Sequence, residues 1–200
     1  ADASGRLMLW DAQTAERLES IQAHTDYIYN LVRVPDSNLL ASVSADETVR
    51  FWQIDTLQAD GDALTFHEND VLNIAFSPDG QYFVTTSADN SSVLWNRDSR
   101  RASVQFPAAG QVRGVLFTPD SSRLIVGDDS GRVTVWNVSG SNQSESFSYI
   151  GGSAVRDIAL LNDTLLIVGE PPAITRWSLQ DRPPAGGYPG QVDDRVMHVA

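Results

Sequence analysis

The chain has 200 residues, 42% of them hydrophobic, which suffices for a sizeable core, and its longest apolar runs (124–127 and 165–169) are far too short to span a membrane. Twenty Asp and six Glu stand against 14 Arg, a net charge of −12 that opposes the cationic neutralisation on which nucleic-acid binding rests. Lys and Cys are both absent, which excludes Schiff-base and P-loop chemistry, disulfides, thiolate catalysis and thiolate metal sites.

In chain order, residues 1–5 read as a turn, a strand ends at Trp10, and a polar strand covers 16–22. Two closely matched units follow, 24–66 and 67–107. Each opens on a histidine, His24 or His67, and enters an apolar strand a at 27–34 or 71–77. A Pro-Asp turn comes next, because Pro presets φ and Asp bonds its own backbone. Strand b covers 39–44 or 82–87, an Ala-Asp turn follows, and strand c ends at Trp52 or Trp95. Residues 108–150 keep this register around Trp136, with a polar strand at 142–149. Residues 151–192 keep it around Trp177, with a shortened a–b turn at 161–163, and 193–200 restart strand a.

The five tryptophans are therefore spaced by 42, 43, 41 and 41 residues. A period of this length with one Trp per unit fits a four-stranded blade. Strands a, b and c are almost continuously apolar, as expected when both faces of a blade pack on neighbours. The outer strand d is more polar, which limits edge-to-edge pairing. The fold class is all-β: a propeller of four-stranded antiparallel blades, four complete, with parts of flanking blades at each end. Joining the two ends leaves an inner strand missing. The expectation is a segment of a larger, seven-bladed type of propeller, with a closed five-bladed ring as the alternative.

The opening His, the FSPDG run at 76–80, the Ser-Ala-Asp turns and the Trp closing strand c together resemble the WD-repeat family of β-propellers. The resemblance covers the whole chain, although the Trp-Asp pair itself survives only as Trp10-Asp11. It implies buried hydrogen-bonded tetrads: His24, Ser42, Asp46 and Trp52 in one blade, His67, Thr85, Asp89 and Trp95 in the next. Ser44 and Ser87 share a strand face with Ser42 and Thr85, so which hydroxyl takes part is open. In the third unit Ala108 replaces His and Asp129 is shifted by one; in the fourth, Ser153 and 170–172 replace the polar set. Those two blades are expected to rely on apolar packing.

His, Ser and Asp occurring together invite a hydrolase triad, but a set duplicated at identical spacing beside Trp reads as scaffold. His198 falls at a strand-a position shared with Asn30, Asn73, Gly114 and Asp157, expected to face a central channel and to be satisfied by water rather than by a metal. The acidic stretches 60–62 and 128–131 lack the further ligands of a calcium loop and read as tight turns. Arg97, Arg100 and Arg101 read as a solvated connection. Neither a cofactor nor a metal is expected, and the compartment, cytoplasmic or extracytoplasmic, and the oligomeric state stay open.

What remains is surface. The resemblance implies a docking rim formed by the d–a and b–c loops, and the candidate contact residues are Tyr27, Tyr29, Leu72, Arg113, Arg156 and Arg195, aromatic and Arg types that dominate interfaces. The three arginines either meet an acidic or phosphorylated segment or pair with Asp128, Asp157 and Asp193 or Asp194. The expected function is a non-catalytic protein-interaction scaffold or sensor module with a protein or peptide partner. An enzyme with a channel site, hydrolase or oxidoreductase, and a structural subunit of a large assembly are the alternatives.

Overall fold

The structure is a computed structural model that describes residues 1–139, 143–148, 154–161, 164–169 and 173–178. Among these, five antiparallel sheets follow one another along the chain. The first holds β1 (Arg6–Trp10) and β2 (Arg17–Gln22). The second runs β3 (Ile28–Arg33), β4 (Leu39–Ser44), β5 (Thr48–Gln53) and β6 (Leu64–Thr65). The third runs β7 (Val71–Phe76), β8 (Tyr82–Ser87), β9 (Ser91–Asn96) and β10 (Ala102–Pro107). The fourth runs β11 (Val112–Phe117), β12 (Arg123–Asp128), β13 (Arg132–Asn137) and β14 (Gln143–Ser148). The fifth holds β15 (Val155–Leu161), β16 (Thr164–Gly169) and β17 (Ala173–Ser178).

Chain order is spatial order in every sheet, and the register repeats with the tryptophans. Trp52, Trp95, Trp136 and Trp177 stand opposite Leu40, Phe83, Leu124 and Leu165. The first strands of successive sheets also touch, β3 on β7, β7 on β11 and β11 on β15. The sheets thus share an inner edge and stack face to face, which is the arrangement of propeller blades. The restart of strand a at 195–200, the segment after Trp177 and the shortened turns of the last unit lie largely outside the described residues.

Local chemistry sets the turns between a and b. In the third and fourth sheets Asp79 and Asp120 accept from the hydroxyls of Ser77 and Thr118, both at 2.6 Å, and from amides two residues on. These donations, the Thr118 hydroxyl first, lower the Asp120 carboxyl to about 2. Outer strand β6 is only two residues long. Gly61, at φ +88°, turns the backbone out of the extended region just before it.

The core is not one mass but a series of layers between sheets. Val34, Ala41, Val43 and Phe51 of the second sheet meet Val71, Ile74, Phe83 and Trp95 of the third. Val84, Leu94 and Phe106 of the third meet Val112, Val115, Leu124 and Trp136 of the fourth. Ile125, Val133 and Val135 meet Val155, Ile158, Leu165 and Ile167. Fourth and fifth sheets approach so closely at Gly127 that a Cβ there would lie 2.4 Å from Val155 Cγ1. Strands β8 and β9 are consequently buried on both faces. Strand β3 departs from the expected continuous burial. The first sheet packs against the outer part of the second, Leu7 and Ile21 against Trp52 and Leu57, and leaves Tyr29, Leu31 and Arg33 exposed.

The arginine-rich connection after Trp95 is not a solvated loop. Arg97 donates through Nη2 to Pro35 O (2.7 Å) and through Nη1 to Gly80 O (3.2 Å), tying the a–b turns of neighbouring sheets together. Arg100 reaches the Asp60 carbonyl and carboxylate and lies 4.1 Å over the Phe51 ring. Guanidinium groups bridge sheets here because the turns expose carbonyls that need donors. Arg101 alone of the three is exposed.

Phe83 is fully buried, stacked on Trp95 at 5.7 Å and edge-on to Phe51 at 5.7 Å. Phe83→Ala should cost about 3–5 kcal/mol in urea unfolding, whereas Leu18→Ala, on the exposed outer strand β2, should stay within about 0.5 kcal/mol.

Candidate functional site

His24 precedes β3, Ser42 lies in β4, Asp46 in the b–c turn and Trp52 in β5. Trp52 Nε1 donates to Ser42 Oγ at 2.8 Å. The Ser42 hydroxyl is 2.6 Å from His24 Nε2, and His24 Nδ1 is 3.0 Å from the Asp46 carboxylate. The third sheet repeats this line: Trp95 Nε1 to Thr85 Oγ1 at 2.9 Å, Thr85 Oγ1 to His67 Nε2 at 2.7 Å, His67 Nδ1 to Asp89 Oδ2 at 2.8 Å. Every donor and acceptor is satisfied by one proton order: indole to hydroxyl, hydroxyl to Nε2, Nδ1–H to carboxylate. Ser44 and Ser87 serve elsewhere. Each bonds a carbonyl before strand a, Asp26 O or Asn69 O, and accepts the amide of the turn Asp.

These networks are closed to chemistry. Ser42 and Thr85 are fully buried, and their oxygens already hold the indole proton, so no substrate carbonyl can reach them. Burial holds His24 and His67 below the ordinary imidazole value of 6.5, against the pull of Asp46 and Asp89. Burial pushes the two carboxyls up, but the Thr48 or Ser91 hydroxyl and the imidazole donation outweigh it and leave both lowered. The pairs are thus neutral imidazole on carboxylate at pH 7.

The fourth sheet is built differently. Val126 stands at the register position of Ser42 and Thr85, and the buried Trp136 Nε1 has no acceptor. The carboxylate that orders its b–c turn is Asp128, not Asp129. Asp128 accepts from Ser130 N–H (3.0 Å), Arg132 N–H (3.1 Å) and Ala109 N–H (3.1 Å). It sits opposite Val112, where Ser44 sits opposite Ile28 and Ser87 opposite Val71. The stretch 128–131 is accordingly a turn stabilised from within.

At the inner edge, each strand a carries a β-bulge in the same place. The register skips from Ile28 to Asn30, Val71 to Asn73, Val112 to Gly114 and Val155 to Asp157. The extra residues are Tyr29, Leu72, Arg113 and Arg156. A bulge re-aims a side chain without breaking the ladder, so these four occupy equivalent places on successive blades. Tyr27 (45% exposed) and Tyr29 (41%) lie with ring centroids 5.0 Å apart. Tyr29 Oη donates to Asp70 Oδ2 at 2.6 Å. That bond raises the phenol above its ordinary value, burial and the Asp70 charge add to it, and nearby Arg113 opposes them. Leu72 is only 9% exposed, so it underlies the rim rather than presenting itself there. Arg156 is exposed, and Arg195 lies outside the described residues.

Asn30 and Asn73, expected to face a channel, find partners within the protein. Asn30 Nδ2 donates to Asn73 Oδ1 (2.7 Å), Asn73 Nδ2 donates to Arg113 O (2.9 Å), and both accept the next amide of their own strand. Asp157 likewise accepts from Ile158 N–H at 2.8 Å. His198 lies outside the described residues. A groove of about 370 Å³ between the second and third sheets is lined by Phe51, Arg97 and Arg100, whose guanidinium groups are already committed.

Two outcomes test this geometry. Thr85→Val removes one hydroxyl and strands both Trp95 Nε1 and His67 Nε2, so urea unfolding should show a loss of about 2 kcal/mol or more. Acidification should destabilise the fold. The unfolded chain binds protons at histidine as pH falls below 6.5 while buried His24 and His67 resist, and Asp46 and Asp89 add a loss of the same sign below 3.8. The urea midpoint should therefore be level above about pH 7 and drop from about 6.5 downwards, with a shallower drop in a His24→Gln/His67→Gln variant.

A family model, WD domain, G-beta repeat, matches residues 15–53, 62–96 and 102–137, more than half of the chain. WD repeat and SOCS box-containing protein 1 of Danio rerio is 37% identical over 70 residues, and that of Homo sapiens 36%. Each match covers 33% of this chain and 16% of the relative's length. Among solved structures, the computationally designed Ika8 protein superposes with a TM-score of 0.76 at 18% identity, over 88% of this chain and 53% of that one, a likeness of fold. The in-register sheets and the matched repeats agree: this chain belongs to the WD-repeat family of β-propellers.

Proposed function

We propose that the chain is a non-catalytic protein-interaction module whose rim, carrying Tyr27, Tyr29, Arg113 and Arg156, receives a protein or peptide partner. The observation that carries this reading is the repeated bulge, which gives Tyr29, Arg113 and Arg156 equivalent places on their blades, with Tyr27 exposed beside Tyr29. Aromatic rings supply large contact area at low entropic cost, and an exposed pair of them is the feature that interfaces concentrate. The His-Ser-Asp sets support the same reading from the other side, since their side chains are consumed in holding the blades. The blade limits 24–66, 67–107, 108–150 and 151–192 are part of this proposal, each being one sheet with its closing loops.

Peptides selected from a random display library against the whole chain supply the test. Tyr27→Ala/Tyr29→Ala should weaken the selected peptides by about 30-fold, which is hot-spot magnitude, with unchanged thermal melting. Equal binding by the double variant would place the docking surface elsewhere.

A further inference from the structure

Arg113 is an unusual cation for so acidic a chain. Its side chain makes one hydrogen bond among the described residues, from Nη2 to Gln111 Oε1 at 3.0 Å, and its Nε is buried without an acceptor among them. Ion pairs join His24 to Asp46, His67 to Asp89 and Arg100 to Asp60, and Arg113 forms none with another described residue. Asp70, Asp128, Asp129 and Asp157 each accept other donors. Asp70 holds the Tyr29 hydroxyl, Asp128 orders its own turn, Asp129 accepts Gln111 N–H at 2.9 Å, and Asp157 accepts Ile158 N–H. The expected pairing of Arg113 with Asp128 is therefore not made.

A half-buried guanidinium held by a neutral glutamine, with no carboxylate in a chain of net charge −12, is a charge awaiting an acceptor. Arg113 is the bulge residue of the fourth sheet, the place that Tyr29 holds in the second, two blades away. We infer that Arg113 receives the carboxylate of an Asp or Glu side chain on an extended partner segment, while an apolar residue of the same segment packs on the Tyr27–Tyr29 pair. This rests on the rim reading above and gives it a ligand chemistry. The surrounding acidity sharpens the choice, because a carboxylate that misses Arg113 meets like charge from Asp26, Asp70 or Asp129.

Three immobilised nine-residue peptide libraries, degenerate except for a central Glu, phosphoserine or Lys, distinguish the outcomes when offered to the whole chain. The Glu library should be retained best, with Arg113→Gln losing about tenfold and Arg113→Lys less, while Arg101→Gln, an exposed arginine away from the rim, changes nothing. Thermal melting of Arg113→Gln should match the parent. Preference for the Lys library, preference for phosphoserine over Glu, or Glu retention indifferent to Arg113→Gln would each overturn the assignment. If Tyr27→Ala/Tyr29→Ala abolishes retention and Arg113→Gln does not, the rim stands and the carboxylate falls; if neither matters, the rim itself falls.

Discussion

Strands β8 and β9 are pressed between the sheets on either side, so all but their end residues Tyr82 and Asn96 are shut off from water. That enclosure governs the polar side chains of the molecule. In the second and third sheets a relay that begins at Trp and ends on Asp satisfies the indole, hydroxyl and imidazole, whereas Thr86 Oγ1 and Ser92 Oγ on β8 and β9 are buried without a hydrogen-bond partner among the described residues. The fourth sheet lacks the hydroxyl: Val126 replaces it, and the buried Trp136 Nε1 has no acceptor among the described residues. Both arrangements hold the same backbone register, which shows that the apolar layers between sheets, not the relays, specify where the strands lie.

Much of this was legible in the residues. The spacing of the tryptophans located the sheets, and strands β4 and β8 fall on the expected 39–44 and 82–87, because a β-rich run bounded by a Pro-Asp turn and an Ala-Asp turn leaves little freedom for its ends. The positions of His24, His67, Asp46 and Asp89 were readable because the motif recurs. What escaped is what depends on the third dimension. Arg97 and Arg100 look like solvated charges until the preceding sheet places Pro35 O and Asp60 within reach. The third unit pointed to Asp129, shifted by one, and only the pairing with Val112 shows that Asp128 occupies the serine position of the other blades. The bulges leave no mark in composition, since Tyr, Leu and Arg fill them equally well.

Charge follows the same division. Asp79, Asp120 and Asp128 accept amide and hydroxyl protons in their own turns. Asp46 and Asp89 accept imidazole protons. Much of the acidity thus belongs to turn construction, where a short carboxylate can bond the backbone two residues on and lysine cannot. Arginine, planar and many-handed, is the cation that reaches across from sheet to sheet.

The bulge has a consequence of its own. The additional residue has no counterpart in the cross-strand register, so its identity is free of the demand that pairing places on its neighbours. Tyr29, Leu72, Arg113 and Arg156 differ in size, polarity and charge, yet the ladders on either side of them match. The architecture offers a row of sockets, one to a repeat, into which different side chains fit without disturbing the frame. On the proposed rim reading, a change at Tyr29, Arg113 or Arg156 alters the surface offered to a partner and leaves the pairing on either side as it is.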